Sequence, residues 1–201
     1  MFRRVAVSLM ATLLTGCITS AGGNLQPIEL DAADYVPTVE HTVGDFEFTL
    51  EGGKMVTSNK MGRILNDEIM RRWVEQGLVA GHSYVPSSQF TGTADFNITL
   101  SGSQYGDSSV VMQILSGATL FLLPYTVDSK FDLQYVVENV RTGEKYSASV
   151  EDSYHTTVEL LLFLAAPVAS RGERQTMNAL ADHLYQQVRD EGAFLAPSSP
   201  Q

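Results

Sequence analysis

Hydrophobic and polar residues alternate along four stretches of the chain, with the period of two that is typical of a strand with one buried face. In the clearest stretch every second residue is apolar: Ala94, Phe96, Ile98 and Leu100. The four predicted strands cover residues 43–51, 93–101, 130–141 and 144–152. Thr142-Gly143 lies between the last two. It predicts a tight hairpin, because glycine supplies the positive φ that such a turn needs.

Two other stretches have the spacing of an amphipathic helix. The first covers about 59–78 after the N-cap candidate Ser58, and the second covers about 173–191 and ends at Gly192. Their apolar rows are Met61, Leu65, Ile69 and Trp73 in the first, and Met177, Leu180, Leu184 and Val188 in the second. The pattern predicts an α+β fold: a small, mostly antiparallel sheet of about four strands, with two helices on one face.

Two apolar stretches fit neither period. They cover 110–124 and 158–167, and each ends at a proline. Both are too short to span a bilayer. Because the first leads into one arm of the hairpin and the second leaves the other arm, both should emerge at the same end of the sheet. The candidate contact residues in and beside them are Leu120, Phe121, Leu122, Leu123, Tyr125, Leu160, Leu161, Leu162, Phe163 and Leu164.

Three interpretations of these stretches stay open: packing against the two helices as core, contact with a membrane, or contact with an envelope protein. Tyr125, Lys130, Tyr154 and Arg171 lie close to their ends. Aromatic and cationic residues outside an apolar segment suit the headgroup layer of a membrane. Each buried Leu or Phe contributes about 1.5–3 kcal/mol, so four or five would outweigh a moderate electrostatic repulsion.

The N-terminus has the pattern of a bacterial lipoprotein signal. Arg3 and Arg4 precede an apolar run over residues 5–14, and Leu14-Thr15-Gly16-Cys17 looks like a lipobox. This resemblance implies that Cys17 is acylated and becomes the first residue of the mature protein, anchored by several acyl chains, palmitate among them. The alternative is a plain secretory signal followed by an idle thiol. Cys17 is the only cysteine, which excludes an intramolecular disulfide.

The predicted organisation places the signal peptide at 1–16 and the acylated Cys17 with a flexible tether at 17–40. A single periplasmic domain follows at 41–195, and a disordered tail at 196–201. The tether has no apolar period, and as a coil it would reach roughly 25 Å. Ile18, and not Asp, follows the cysteine. By resemblance to lipoproteins of enteric bacteria, this favours the periplasmic face of the outer membrane.

The chain is acidic. It has 13 Lys and Arg against 23 Asp and Glu. Without Arg3 and Arg4 of the signal, the formal net charge changes from −10 to −12. Such a chain is repelled by nucleic acid, so no nucleic-acid partner is predicted.

Candidate chemistry is sparse. Gly106-Asp107-Ser108 and Asp152-Ser153-Tyr154-His155 resemble two blocks of GDSL-type esterases, in which a serine needs a histidine base oriented by an acid. The family places its serine near the mature N-terminus, and its Gly and Asn blocks have no counterpart here. The four histidines are isolated in the sequence, without the spacing of metal ligands. The sequence therefore predicts no catalytic residue, no metal and no cofactor.

One further resemblance covers about a third of the chain. Ser116 to Pro124, the hairpin from Tyr135 to Tyr146, Thr156-Thr157 and Leu160 to Pro167 look like a group of small lipoproteins of Gram-negative bacteria. The order of elements is also loosely similar to periplasmic auxiliary lipoproteins. The first group has no established activity that could be carried over to this chain. The predicted lipid anchor and the two apolar stretches indicate a non-enzymatic envelope lipoprotein that acts by membrane or protein contact. The alternative is an auxiliary subunit of a lipid or envelope transport system, and a GDSL-like esterase is a remote third.

Overall fold

The computed structural model describes residues 16–49, 55–86, 89–119, 123–159 and 171–195. In these ranges a seven-stranded sheet is combined with three helices. The strands are β1 (Gly16–Ala21), β2 (Thr38–Thr49), β3 (Val56–Thr57), β4 (Gly81–Tyr84), β5 (Phe96–Ser108), β6 (Tyr125–Asn139) and β7 (Lys145–Glu159). The helices are α1 (Asn59–Glu75), α2 (Val110–Ala118) and α3 (Arg171–Asp190).

The sheet is mixed, and the prediction of about four mostly antiparallel strands with two helices is wrong. The strand order is β1-β7-β6-β5-β2-β3, and β4 also pairs with β2. Strand β2 runs parallel to both β4 and β5, whereas the other pairs are antiparallel. Parallel neighbours need a crossover connection, which α1 supplies between β2 and β4. Alternation along a strand indicates which face is buried, but it does not indicate the direction of the neighbouring strand.

The predicted elements are present, with different ends. The hairpin of β6 and β7 is antiparallel, and its loop contains Gly143 with a φ of 73°. Strand β5 continues to Ser108 and β6 begins at Tyr125. These extensions are mostly polar and carry no apolar alternation, so backbone pairing with a neighbouring strand, and not burial, defines them.

The predicted tether begins with a strand. Residues 16–21 form β1, which pairs antiparallel with the second half of β7 along the edge of the sheet. Leu25, Leu30, Ala33 and Tyr35 then pack against the hydrophobic core. The sequence predicted no regular structure here because β1 has no apolar period, and its pairing partner is more than 130 residues away.

The core lies between one face of the sheet and the helices α1 and α3. Trp73 of α1 is fully buried, and its indole Nε1–H donates to the carbonyl of Ala181 in α3 at 2.9 Å. Its ring meets those of Tyr135, Tyr185 and Phe194 edge to face. This geometry adds to the burial energy of aromatic pairs. The helix-facing side of the sheet is thus occupied, whereas α2 lies outside the core.

Candidate functional site

The backbone register places Cys17 at one end of the sheet. Cys17 pairs with Val158 of β7, and Val158 pairs in turn with Tyr125 of β6. Since adjacent strands lie about 4.8 Å apart, the α-carbons of Cys17 and Tyr125 are separated by about 10 Å. Cys17, Val158 and Tyr125 therefore form one row across β1, β7 and β6, which we call the Cys17 row. The predicted lipid anchor thus lies at the same end of the sheet as the start of β6.

Helix α2 leaves the sheet at this same end. Strand β5 finishes at Ser108, which pairs with Val127 of β6, and the hydroxyl of Ser109 caps the helix by accepting from the backbone N–H of Met112 at 3.3 Å. The cap and the short connection hold α2 beside the start of β6. No residue of α2 carries a formal charge, because its sequence is VVMQILSGA.

Most apolar side chains of α2 face solvent. The exposed fractions are 57% for Val110, 65% for Val111, 66% for Ile114 and 44% for Leu115. Only Ser116 of this helix is buried. Residues 110–118 therefore do not form part of the core, which was one of the three interpretations of the first apolar stretch. We call Val110, Val111, Met112, Ile114 and Leu115 the α2 apolar surface.

The structure describes two of the ten predicted contact residues. Leu123 is 42% exposed and Tyr125 is partly buried. Leu120, Phe121 and Leu122 lie outside the described residues, as do Leu160, Leu161, Leu162, Phe163 and Leu164. The side chain of Cys17 is likewise outside the description, although its backbone is placed by β1. Contact by these residues stays a prediction.

A groove opens on the helix side of the sheet, between the first turns of α1 and α3. Its volume is about 390 Å³, which lies within the usual range of ligand pockets. The lining is largely apolar, with charged groups at Glu68, Glu173 and Arg174. The apolar lining residues are Met61, Ile64, Leu65, Phe131, Tyr154 and Met177. The groove can accommodate a small apolar ligand or a short length of acyl chain.

Two histidines that are far apart in the sequence meet beside the first half of β2. His41 Nε2 lies 3.0 Å from His82 Nδ1 and 3.4 Å from Asp67 Oδ1. His41 comes from β2, His82 from β4 and Asp67 from α1, so three elements converge. We call His41, His82 and Asp67 the histidine cluster.

His41 is fully buried, and Asn66 contacts the ring nitrogen that does not face His82. Asn66 Nδ2 contacts His41 Nδ1 at 3.1 Å and donates to the carbonyl of Thr42 at 3.1 Å, while the Tyr135 hydroxyl donates to Asn66 Oδ1 at 2.5 Å. Burial, and to a smaller degree the His82 ring, lower the pKa of His41 to about 4. His82 is exposed at the surface, and desolvation lowers its pKa as well. Both rings are therefore neutral at neutral pH.

The sequence did not predict this cluster, for a reason that lies in β2. Val39, His41 and Val43 occupy alternate positions of β2 and are all buried. The predicted strand began at residue 43, which left His41 outside it. Extending the alternation backwards would have placed His41 on a buried face, but only the parallel pairing of β2 with β4 brings His82 beside it.

The residues of the two esterase-like blocks have other partners than an esterase triad would need. His155 Nδ1 lies 2.6 Å from Asp128 Oδ1, across the β6–β7 ladder. Asp152 is buried and accepts from the backbone N–H of Ser153 at 2.8 Å. The hydroxyl of Ser108 accepts a hydrogen bond from the side-chain amide of Gln113. The pairing of an Asp152 acid with a His155 base, which the esterase resemblance would require, is not the arrangement that these contacts form.

No helix in the described ranges is long and apolar enough to cross a membrane.

By architecture the chain belongs to the α+β class, with a mixed sheet and two covering helices on one face. No protein-family model matches the sequence, and no curated protein matches it.

Solved structures that are similar to this chain at low identity include the following three. A Xanthomonas campestris protein of the family described as DUF330 is 10% identical, with a TM-score of 0.35, over 78% of this chain and 88% of that one. A PelC dodecamer from Paraburkholderia phytofirmans is 10% identical, with a TM-score of 0.35, over 87% and 99%. A hypothetical protein from Chlamydia trachomatis is 11% identical, with a TM-score of 0.34, over 81% and 99%. These scores are too low to support any conclusion about this chain.

Proposed function

We propose that this protein is a non-enzymatic lipoprotein of the cell envelope that acts by contact with the membrane. In this proposal Cys17 carries the lipid, and the α2 apolar surface lies against the periplasmic face of the outer membrane. The observation that supports it most directly is the position of an uncharged, exposed helix at the end of the sheet where the Cys17 row lies.

The position of Cys17 in β1 limits how the domain can sit on its anchor. The predicted tether would have allowed the domain to hang about 25 Å below the membrane. Because β1 pairs with β7 from residue 16 onward, little free chain is left between an acylated Cys17 and the sheet. The anchor would then hold this end of the sheet at the bilayer, and α2 with it.

Burial of the α2 apolar surface in a membrane would release enough free energy to strengthen the attachment that the lipid anchor provides. A fully buried Val, Ile, Leu or Met contributes about 1.5–3 kcal/mol relative to the exposed side chain. Val111 and Ile114 are each about two-thirds exposed, and Val110 more than half. Burial of these three would contribute on the order of 3–5 kcal/mol. That is a weak interaction by itself, and it becomes persistent when a lipid anchor holds the helix at the surface.

Flotation with liposomes tests the contact independently of the anchor. The predicted mature chain, residues 17–201 carrying Cys17→Ser and without the apolar run of the signal, should float with vesicles. The double substitution Val111→Glu and Ile114→Glu should reduce the bound fraction at least about tenfold, since charges resist transfer to the bilayer. Val136→Glu is the matched control, because Val136 is 43% exposed on β6 and lies outside α2. If the Cys17→Ser protein stays soluble and monomeric without vesicle binding, the membrane-contact proposal is wrong.

Acylation and location have separate tests. Radiolabelled palmitate should enter the wild-type protein, and Cys17→Ser should abolish the incorporation and leave the signal uncleaved. Membrane fractionation should place the wild type in the outer membrane, and Ile18→Asp should move it to the inner membrane if the enteric sorting rule applies. Palmitate incorporation into Cys17→Ser would exclude this cysteine as the acylation site.

The groove between α1 and α3 supports a second candidate function, that of an auxiliary subunit in a lipid or envelope transport system. Its apolar lining and its volume of about 390 Å³ suit part of a lipid chain. Native mass spectrometry should then detect a lipid that co-purifies with the wild type and is lost when Met177→Glu places a carboxylate in the lining. If no lipid co-purifies and a pull-down retrieves no transport component, this candidate is excluded.

A further inference from the structure

Membrane contact does not explain why His41, His82 and Asp67 lie together. We propose that His41, His82 and Asp67 bind a divalent transition-metal cation, for which Zn²⁺ is the appropriate probe. One potential ligand atom from each residue lies within 4.8 Å of the other two. The three side chains come from β2, β4 and α1, so the site exists only in the folded chain.

The distances suit a single coordination sphere. With metal–nitrogen bonds of about 2.0–2.1 Å and tetrahedral angles, neighbouring ligand atoms are about 3.3 Å apart. His41 Nε2 is 3.0 Å from His82 Nδ1 and 3.4 Å from Asp67 Oδ1. The shorter distance is also that of a hydrogen bond, so a shared proton joins the two rings in the metal-free protein. A cation would take the place of that proton.

The ligand types select the metal. Two imidazoles and one carboxylate favour Zn²⁺ and its neighbours in the first transition row, whereas Ca²⁺ and Mg²⁺ prefer oxygen ligands alone. His41 is fully buried, but His82 is exposed and the Asp67 side chain is 41% exposed. The outer side of the site is thus open, and a fourth position remains for water or an external ligand.

Asn66 controls the protonation of His41. The carbonyl of Thr42 only accepts hydrogen bonds, so it requires the amide nitrogen of Asn66 to face it, and the Tyr135 hydroxyl satisfies the amide oxygen. In this orientation Asn66 donates to His41 Nδ1, and the ring proton lies on Nε2. Metal binding at Nε2 moves that proton to Nδ1, which then needs an acceptor. The Asn66 amide must turn, and its oxygen then faces the Thr42 carbonyl, so Asn66 lowers the metal affinity.

The primary test is a titration of the untagged full chain carrying Cys17→Ser, which removes the only thiol. Isothermal calorimetry with ZnCl₂ should show one equivalent bound, and Co²⁺ should give the visible absorption of a tetrahedral site. His82→Ala should weaken Zn²⁺ binding more than about 100-fold, and Asp67→Asn at least about tenfold, since each removes a ligand. Both side chains are exposed enough for the variants to fold, which circular dichroism checks.

His183→Ala is the matched control, because His183 lies on α3 and contacts the carbonyl of Gln26. Its Zn²⁺ affinity should equal that of the parent protein. Absence of stoichiometric Zn²⁺ binding in the parent would overturn the proposal. Undiminished binding in His82→Ala would overturn it too, because the metal would then lie elsewhere.

A second variant tests the buried ligand through the residue behind it. Asn66→Asp supplies a carboxylate that accepts from His41 Nδ1–H, and hydrogen-bond partners of a metal-bound histidine change metal affinity on the order of 10–100-fold. We expect Zn²⁺ to bind about tenfold more tightly in this variant. An unchanged or weaker affinity would overturn the assignment of His41 as a ligand. If the buried carboxylate prevents folding, His82→Ala and Asp67→Asn decide the question.

Discussion

The Arg72–Asp182 pair joins α1 to α3 where both side chains are largely withdrawn from water. Arg72 Nε donates to Asp182 Oδ1 at 2.8 Å, and a terminal guanidinium nitrogen donates to Oδ2 at 2.6 Å. Two parallel bonds of this kind give orientation as well as energy. The sequence does not predict this pair, because a helical pattern does not distinguish an acid facing water from one facing a neighbouring helix.

Arg72→Ala should lower the free energy of unfolding by roughly 3 kcal/mol, because it leaves the Asp182 carboxylate buried without its partner. Urea denaturation measures the change. The neighbouring Arg71→Ala is the control. Arg71 is exposed, and within the described part of the chain its ion pairs are with Glu68 and Glu75 of its own helix. The denaturation midpoint of this variant should therefore stay close to that of the wild type. Equal effects of the two substitutions would contradict a structural role for the pair.

Asp95 should make the free energy of unfolding depend on pH under acidic conditions. Burial raises its pKa, but the bonds that it accepts from the hydroxyl and the backbone N–H of Thr38, each at 2.7 Å, outweigh burial and lower the pKa below its ordinary value. The unfolded carboxylate therefore takes up a proton first as pH falls. Its contribution is complete above the unfolded pKa of about 3.9 and is lost as pH falls through the folded pKa.

Asp95→Asn removes this titration. The free energy of unfolding of the wild type should exceed that of Asp95→Asn at pH 6, and the difference should shrink between about pH 4 and pH 2. Urea denaturation at a series of pH values measures the difference. A gap between the two proteins that is constant over this interval would show that the Thr38 bonds do not depend on the charge.

At the scale of elements, α1 approaches β2 closely at one glycine. A Cβ at Gly62 would lie 2.7 Å from Val43 Cγ1 and 2.8 Å from Phe46 Cγ. Gly62→Ala should therefore destabilise the protein by about 1–3 kcal/mol through overpacking, despite the better helix propensity of alanine.

The comparison with a second helical glycine makes this prediction specific. Among the described residues, no heavy atom beyond the chain neighbours and the backbone of α2 itself lies within 4 Å of the corresponding Cβ position at Gly117. Gly117→Ala should stabilise by up to about 1 kcal/mol, since it removes only the entropic cost of glycine in a helix. Thermal denaturation of the two variants should show shifts of opposite sign, and shifts of the same sign would contradict the packing of α1 on β2.

The sequence predicts whether a segment is a helix or a strand where the buried residues recur with a helical or strand period. This is the case in α1, α3 and the β6–β7 hairpin. Element types were not predictable in β1, β3 and β4, which are short and have at most a weak apolar period. Such strands form because a neighbouring strand offers unpaired backbone groups, and that condition lies elsewhere in the chain. Helix α2 shows the converse: its composition indicated an apolar element, but only the tertiary structure leaves that surface uncovered.

At the scale of the whole molecule, the acidic balance should oppose membrane contact through a long-range repulsion. The predicted mature chain has a formal net charge of −12, whereas the α2 apolar surface carries none. Salt shortens the range of repulsion from about 10 Å at 0.1 M to about 3 Å at 1 M. The Cys17→Ser protein should thus bind anionic vesicles more tightly as NaCl rises across this range.

Zwitterionic vesicles provide the control for that experiment, because their surface has little net charge to screen. Binding to them should change much less over the same range of NaCl, as measured by flotation. Binding to anionic vesicles that weakens with salt would instead indicate a cationic contact surface, and would contradict a contact made by α2.

The sequence by itself determined the α+β class, the main amphipathic helices, the hairpin and the candidate lipid attachment at Cys17, since each depends on a local pattern or a short motif. The tertiary structure alone decided the mixed direction of the sheet, the pairing of the Cys17 strand with β7, the exposure of α2 and the meeting of His41 with His82. The physical reason is the same in each case. These features depend on which distant segments supply backbone partners and cover side chains, and the period of a single segment carries no information about its neighbours.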